Sequence, residues 1–508
     1  MSFNVPVVVI FTSFLVGSVS CSGDVAAGQL AEPASSEETR LANGVQEGVL
    51  GCAIMGEPSN GRQIPHIEAY ATTVPSVSDQ SFPSKGKLEV GPKVSFVDEI
   101  IRIFVSHLEP MKRVGLRVSV TDSGGIHWES VAYFRANEQG EIDPASQEPL
   151  RGSTYSGRHA MGLFWSMVPE RLQPFDASAD LQYEVSLESG GAVMAQERIC
   201  RLAYRHPPSG NIEKEELRGD VYANFYRSEP QNVKPTIILL GGSGGQFQSE
   251  TAFYLAARGY SVLDLMYFGP NGLPPRLERV PLEYLNRAIQ WVRQRGETGL
   301  SDIVLMGRSR GAEYALLYAS QFDDVEGVIS LVGSNLAWSA KSYFRSSWTH
   351  NGNEIPFARG SLRQAVRYLW RSRGVGQDQL GYFNSATTKQ RRTMNAEIEV
   401  ERIRAPILLL SGKSDMQWPS AEMGERLVSR AMHHGFPFSI RHVAYHDAGH
   451  EFLAIPFIPQ PSLSSMMTWA SGGTTQGNAL ASIEAWGEIF GFLEAIVAGS
   501  LDHADERS

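Results

Sequence analysis

Residues 303–312 read Ile-Val-Leu-Met-Gly-Arg-Ser-Arg-Gly-Ala. Four apolar side chains run into Gly307-Arg308-Ser309-Arg310-Gly311, and a helical pattern, Ala312–Ser320, begins at once. This is G-x-S-x-G between a strand and a helix, the setting in which the motif forms a nucleophile elbow. The glycines let the chain turn sharply without Cβ clashes, so the spacing leaves the Ser309 hydroxyl free above a sheet. The plainer alternative is an ordinary strand-to-helix turn with a serine near the helix start.

The segments on either side carry the same alternation. Thr236–Leu240 (TIILL), Ser261–Leu265 (SVLDL), Gly327–Leu331 (GVISL), Ile407–Leu410 (ILLL) and Ser439–Ala444 (SIRHVA) predict strands. Uninterrupted apolar runs of this kind suit strands buried on both faces. Helical patterns fall between and after them at Glu250–Arg258, Pro281–Arg295 and Asn478–Val497. Strand and helix in alternation predict a mostly parallel sheet wrapped by helices, over residues 215–500.

A serine nucleophile needs a base, and the base needs an orienting acid. In elbow-bearing sheets the chain order is serine, acid, histidine. Asp415 follows the strand-like ILLLSGKS, and His450 follows SIRHVAYHDAG. Loops beyond strand C-termini are where open α/β sheets place their sites. His446 and Asp447 are rivals within the second loop. The oxyanion hole would pair the Arg310 N–H with one from Gly241-Gly242-Ser243-Gly244-Gly245, at Ser243 or Gly244. That loop lacks both the lysine of a P-loop and the G-x-G-x-x-G spacing, which argues against phosphate binding there.

Between Lys341 and Arg373 stand seven cations and one carboxylate, Glu354. Arg359, Arg363, Arg367 and Arg371 recur every four residues, which puts them on one helix face if Gly360 is accommodated. Arg363, Arg367 and Arg371 are therefore candidates for binding an anionic substrate. A solvated basic face is the alternative.

The first half of the chain reads differently. Ile101–Ser106, Gly115–Thr121, His127–Phe134 and Leu181–Leu187 are short, rich in Val, Ile and aromatics, and separated by turns such as Asp122-Ser123-Gly124-Gly125. They predict an antiparallel β-sandwich over residues 85–205. His206–Lys214 (HPPSGNIEK) reads as the junction between the halves.

At the N-terminus, Val5–Val19 is almost wholly apolar, and small residues, Ser18-Val19-Ser20, precede Cys21. The run suits the core of a signal peptide over residues 1–20 and predicts export. Cys21 could carry a lipid, which would be the protein's one route to a membrane. Residues 21–84 read as a tether and irregular lead-in. If Cys21 is lipidated or removed, Cys52 and Cys200 remain, free to form one disulfide or to stay unpaired.

Composition narrows the field. The chain has 508 residues, 42% hydrophobic and 10% aromatic, which is enough for sizeable cores and excludes general disorder. Its 55 acidic and 45 basic side chains give a net charge of −10, against a nucleic-acid partner. Three cysteines exclude a four-thiolate zinc site. No metal or cofactor is expected, and the sequence leaves the oligomeric state open.

Several short segments also resemble one family. They are Trp128-Glu129-Ser130, Tyr155-Ser156-Gly157, Met161-Gly162-Leu163-Phe164-Trp165-Ser166-Met167, the Gly241–Gly245 loop, Tyr267-Phe268-Gly269, Leu282-Glu283-Tyr284, Gly311-Ala312-Glu313, Gly333-Ser334-Asn335 and Ala448-Gly449-His450. Together they are similar to the acyl-CoA thioesterase / bile acid-CoA:amino acid N-acyltransferase (BAAT) family, over about Leu88 to Ile496. The resemblance implies an α/β-hydrolase catalytic domain behind an all-β, immunoglobulin-like sandwich, acting on fatty acyl-CoA thioesters. Carried across position by position, its nucleophile, acid and base fall on Ser309, Asp415 and His450. Members that hydrolyse use serine, and those that transfer to amino acids look to use cysteine, so Ser309 favours hydrolysis. The export signal departs from the family's intracellular habit. It leaves an exported carboxylic ester hydrolase or an acyltransferase on the same triad as the alternative, and a non-catalytic surface binder as a third reading.

Overall fold

A computed structural model describes residues 86–203, 212–228, 234–295, 302–363, 379–387, 394–459 and 471–500. The expected signal peptide, the tether with Cys21 and Cys52, and Arg367 and Arg371 lie outside the described residues.

The first half is built from strands that alternate inward apolar and outward polar residues. They are β1 (Lys87–Gly91), β2 (Val94–Phe96), β3 (Arg102–Ser106), β4 (Arg113–Thr121), β5 (His127–Arg135), β6 (Val168–Pro169), β7 (Leu181–Ser189) and β8 (Ala192–Leu202). In β5 the buried positions are Trp128, Ser130, Ala132 and Phe134, the two-residue period of a half-buried strand. A six-stranded sheet, β2-β8-β7-β4-β5-β6, packs with the β1-β3 ribbon around a common core. Cys200 of β8 is buried and disulfide-bonded.

The second half holds an eight-stranded sheet. Its strands are β9 (Ile212–Arg218), β10 (Tyr222–Ser228), β11 (Thr236–Leu240), β12 (Ser261–Leu265), β14 (Ile303–Arg308), β15 (Gly327–Leu331), β18 (Ile407–Gly412) and β19 (Ile440–Tyr445). Three short strands, β13 (Val280–Pro281), β16 (Trp348–His350) and β17 (Asn353–Glu354), form a separate small sheet. The main order is β9-β10-β12-β11-β14-β15-β18-β19. The six strands from β12 to β19 run parallel, and β10 and β9 add an antiparallel edge. β11, β15 and β18 are buried at every residue, which is why they read as continuous apolar runs. The edge strand β9, with sequence IEKEELR, is mostly exposed and charged. It begins inside the stretch read as the junction, because charged side chains on a solvent-facing edge carry no apolar signal.

Among the described residues the helices of this second half are α1 (Ser249–Ala256), α2 (Leu282–Gln294), α3 (Arg310–Ala319), α4 (Gln379–Thr387), α5 (Ser420–His433) and α6 (Thr475–Val497). Helix α3 is buried along its whole length, which makes it the central helix behind the elbow. A single apolar cluster joins the halves. It runs from Ile101, Trp165 and Tyr183 of the sandwich, through Tyr254 of α1 and Trp486 and Ile489 of α6, to Ile237 and Val304 of the sheet. At the same contact Asp98 of the sandwich pairs with Arg258 and accepts from the Tyr254 hydroxyl at 3.2 Å.

The arginine helix expected from Arg359 does not form there. Arg359, Gly360 and Ser361 are not helical. Gly360 is pressed against Tyr382, so close that a Cβ would fall 2.5 Å from the ring. Arg359 instead lies over the rings of Tyr343 and Phe344, at 5.2 and 6.0 Å.

Candidate active site

β14 ends at Arg308, and Ser309 follows with φ 54° and ψ −117°, a conformation that costs a non-glycine residue free energy and is held by its surroundings. The turn is possible because its flanks are bare. A Cβ on Gly307 would lie 2.3 Å from the Gly311 carbonyl oxygen, and one on Gly311 would lie 2.1 Å from that of Leu240. The Ser309 N–H donates to the Leu331 carbonyl at 2.8 Å, tying the elbow to the end of β15. Arg310 opens α3, so its N–H is among the first-turn donors that a helix leaves without an internal partner.

Beyond the ends of neighbouring strands lie the other predicted residues. Asp415 follows β18 and His450 follows β19, and both are buried. His450 Nδ1 and Asp415 Oδ2 stand 2.8 Å apart. The second carboxylate oxygen accepts from the backbone N–H groups of Gln417, at 2.9 Å, and Trp418, at 3.2 Å. Ser420 Oγ donates to Oδ2 at 2.7 Å. A carboxylate so bonded holds its orientation, and it fixes the imidazole in one. His450 Nε2 is buried and without a hydrogen-bond partner among the described residues. The rivals His446 and Asp447 are exposed and line no part of the cavity, and His446 instead meets Lys413 Nζ at 3.1 Å.

Ser309 and His450 line one cavity of about 620 Å³. Ser243 and Gly244 line it too. Gly242 stands against the nucleophile, since a Cβ there would lie 3.5 Å from Ser309 Cβ and 4.0 Å from Oγ. The expected second oxyanion donors, Ser243 and Gly244, follow Gly242 directly on the same loop. One wall of the cavity is aromatic. Trp338 meets Phe383 with centroids 4.6 Å apart, Phe383 meets Trp418 at 5.4 Å, and Trp418 meets His450 at 5.8 Å.

The other wall is polar and was not anticipated. Arg308 and Glu451 form an ion pair that lines the cavity. Burial pushes the Arg308 guanidinium down to about 10, still charged at neutral pH. The signal was present, because the two residues flank Ser309 and His450 in sequence and carry opposite charge. The Arg310 side chain pairs with Glu313 at 2.8 Å and donates to the Trp338 carbonyl and Ser347 Oγ. Burial raises the Glu313 carboxyl to about 7, and the nearby Arg310 opposes that rise.

Of the predicted basic segment, Lys341 lines the cavity and is exposed. Arg363 is exposed and is not among the residues that line the cavity. One cavity is thus lined by a hydroxyl, an imidazole held by a buried carboxylate, and a glycine-rich loop, the types of group that acyl transfer requires.

Two stretches of the chain match models of one family, in the family's own order. Residues 98–207 match the "Acyl-CoA thioester hydrolase/BAAT N-terminal region", and residues 280–499 match the "BAAT / Acyl-CoA thioester hydrolase C terminal". Among curated proteins, human acyl-coenzyme A thioesterase 1 is 26% identical over 422 residues, covering 79% of this chain and 94% of its own length. Rat mitochondrial acyl-coenzyme A thioesterase 2 is 28% identical, covering 81% and 89%. Mouse peroxisomal succinyl-coenzyme A thioesterase is 26% identical, covering 78% and 93%.

Proposed function

We infer that this chain, which belongs to the acyl-CoA thioester hydrolase/BAAT family, hydrolyses acyl-CoA thioesters through an acyl-serine intermediate. The observation that carries the reading is the His450–Asp415 pair, with His450 Nε2 unpartnered in the cavity that also holds Ser309. In this mechanism His450 Nε2 takes the Ser309 proton as Oγ attacks the thioester carbonyl. Asp415 stabilises the imidazolium. The Arg310 N–H and an N–H of the Gly242–Gly244 loop receive the oxyanion. The carbon–sulfur bond then breaks, and His450 returns its proton to the departing thiolate. Water, deprotonated by the same nitrogen, attacks acyl-Ser309 and frees the acid and the serine. Acyl-Ser309 is an oxyester, less open to amines than the thioester a cysteine would form, which supports hydrolysis over transfer. The aromatic wall of Trp338, Phe383 and Trp418 offers apolar contact to an acyl chain, and Lys341 offers a cation to the phosphates of CoA.

A second reading rests on the apolar run Val5–Val19 and on the disulfide at Cys200, both of which favour export to an oxidising compartment. There the same triad would act on a simple carboxylic ester. The test compares kcat/KM for palmitoyl-CoA and p-nitrophenyl palmitate, with Ser309→Ala as the blank. Preference for the thioester is the expected result. Turnover of the ester alone would replace the first reading with the second. Mass spectrometry of the protein recovered from its native host tests export: a mature chain beginning at Cys21 or Ser22 supports it, and an intact Met1 end argues against it.

A further inference from the structure

The family-like segment Tyr155–Met167 stands far from the chemistry in sequence and lines no part of the cavity, so the mechanism above leaves it without a task. Tyr155 is buried against Trp165, with centroids 5.6 Å apart, and this packing presents Ser156 to the start of α6. Ser156 N and Oγ donate to Gln476 Oε1 at 3.2 and 3.1 Å, and Gln476 Nε2 donates back to the Ser156 carbonyl at 3.1 Å. The side-chain amide thus pairs with both backbone groups of Ser156, much as a neighbouring strand would.

What Gln476 is attached to gives the contact its interest. The segment 471–478 lies between the loops of Asp415 and His450. His450 N donates to the Ser471 carbonyl at 2.7 Å, Gly449 N to Asn478 Oδ1 at 2.8 Å, and Thr474 N to the Asp447 carbonyl at 2.9 Å. Backbone bridges join Ala448 to Gly473 and Asp415 to Gly472. The fit leaves no slack. Gly472 has φ +78°, and a Cβ on it would lie 1.9 Å from the Ser414 carbonyl oxygen. A shift of the first turn of α6 is therefore passed directly to the backbone of the histidine loop.

We propose that the β-sandwich braces the catalytic base, with Gln476 and Ser156 as positioning residues that fix the first turn of α6 and, through it, the His450 loop. The proposal rests on the reading of His450 as the base. It gives the sandwich a part in the chemistry without contact with the substrate.

The test uses the full mature chain. Gln476→Met keeps the side chain's bulk and removes its three hydrogen bonds. Its kcat on the CoA thioester, and the rate at which a fluorophosphonate labels Ser309, should both fall about three- to tenfold with KM unchanged, as expected when a reacting group is held less well. Rates are expressed per labelled site, so a misfolded fraction does not count. Ser156→Ala keeps both backbone bonds and should cost less. Parental kcat in Gln476→Met overturns the brace, and so does a rise in KM with kcat intact. A parent that turns over the thioester but never labels sinks the Ser309 reading instead, and kcat per folded monomer, counted by size exclusion and circular dichroism, still judges the brace.

Discussion

Ser309 and His450 meet in one cavity but are held there by different means. The serine stands on a turn between β14, in the middle of the sheet, and the fully buried α3. Its place follows from strand, glycine and helix close together in sequence. The histidine follows β19, the outermost parallel strand, and its loop is fixed by hydrogen bonds from Ser471–Asn478. Core packing positions Ser309, and a polar lattice at the sheet's rim positions His450. The contrast teaches that damage to the two should look different: loss of fold on one side, loss of rate in a folded protein on the other.

The sharpest way to break that contrast is at the elbow. Gly311→Ala drives a Cβ into the Leu240 carbonyl and should cost about 4 kcal/mol or more, leaving little soluble protein. A soluble, active variant would mean the elbow is less tightly enclosed than described. On the histidine side, Asp415→Asn should fold, and lower kcat by about 10³- to 10⁴-fold by failing to hold the imidazole as the carboxylate does. Thermal melting beside steady-state kinetics separates the two effects. Asn478→Ala removes the acceptor for Gly449 N and should lower kcat about tenfold while KM holds, on the same logic as the brace.

The smallest effect concerns pH. Burial raises Asp264, on β12 behind the cavity loop, from 3.8 to about 7, although it accepts from Gln248 N at 2.9 Å. An acid raised on folding gives stability that is complete below its unfolded value and is lost as pH climbs towards 7. Asp264→Asn keeps the acceptor and lacks the titration. Its Tm relative to the parent should therefore rise by about 1–3 °C between pH 4 and pH 8 and then level off. A constant difference across that range would show that Asp264 does not titrate there.

How far the sequence can be read follows the same contrast. The strand Thr236–Leu240 was legible to the residue because burial on both faces leaves an unbroken apolar run. Ser309 and Asp415 each follow such a run, whereas His450 follows β19, which is polar in part and only partly buried. β8, with sequence AVMAQERICRL, and the charged β9 were missed because edge exposure and mixed polarity blur the period. Of the arginine spacing, Arg359 falls outside a helix, because Gly360 is pinned by Tyr382 through a contact that sequence does not announce, while Leu362 and Arg363 are helical. The Ser156–Gln476 contact, 320 residues apart, depends on tertiary placement, and no local pattern carries that information.

The apolar cluster shared by the sandwich, α1, α6 and the sheet has a consequence for the life of the molecule. Two bodies meeting at a polar seam can part and rejoin, and one can be discarded without ruining the other. Here the two share one apolar cluster among the described residues, so water that opens one half wets the core of the other. The chain should melt as a single body. A protease cut in the sandwich should therefore lower the melting temperature of the whole chain, not of one half.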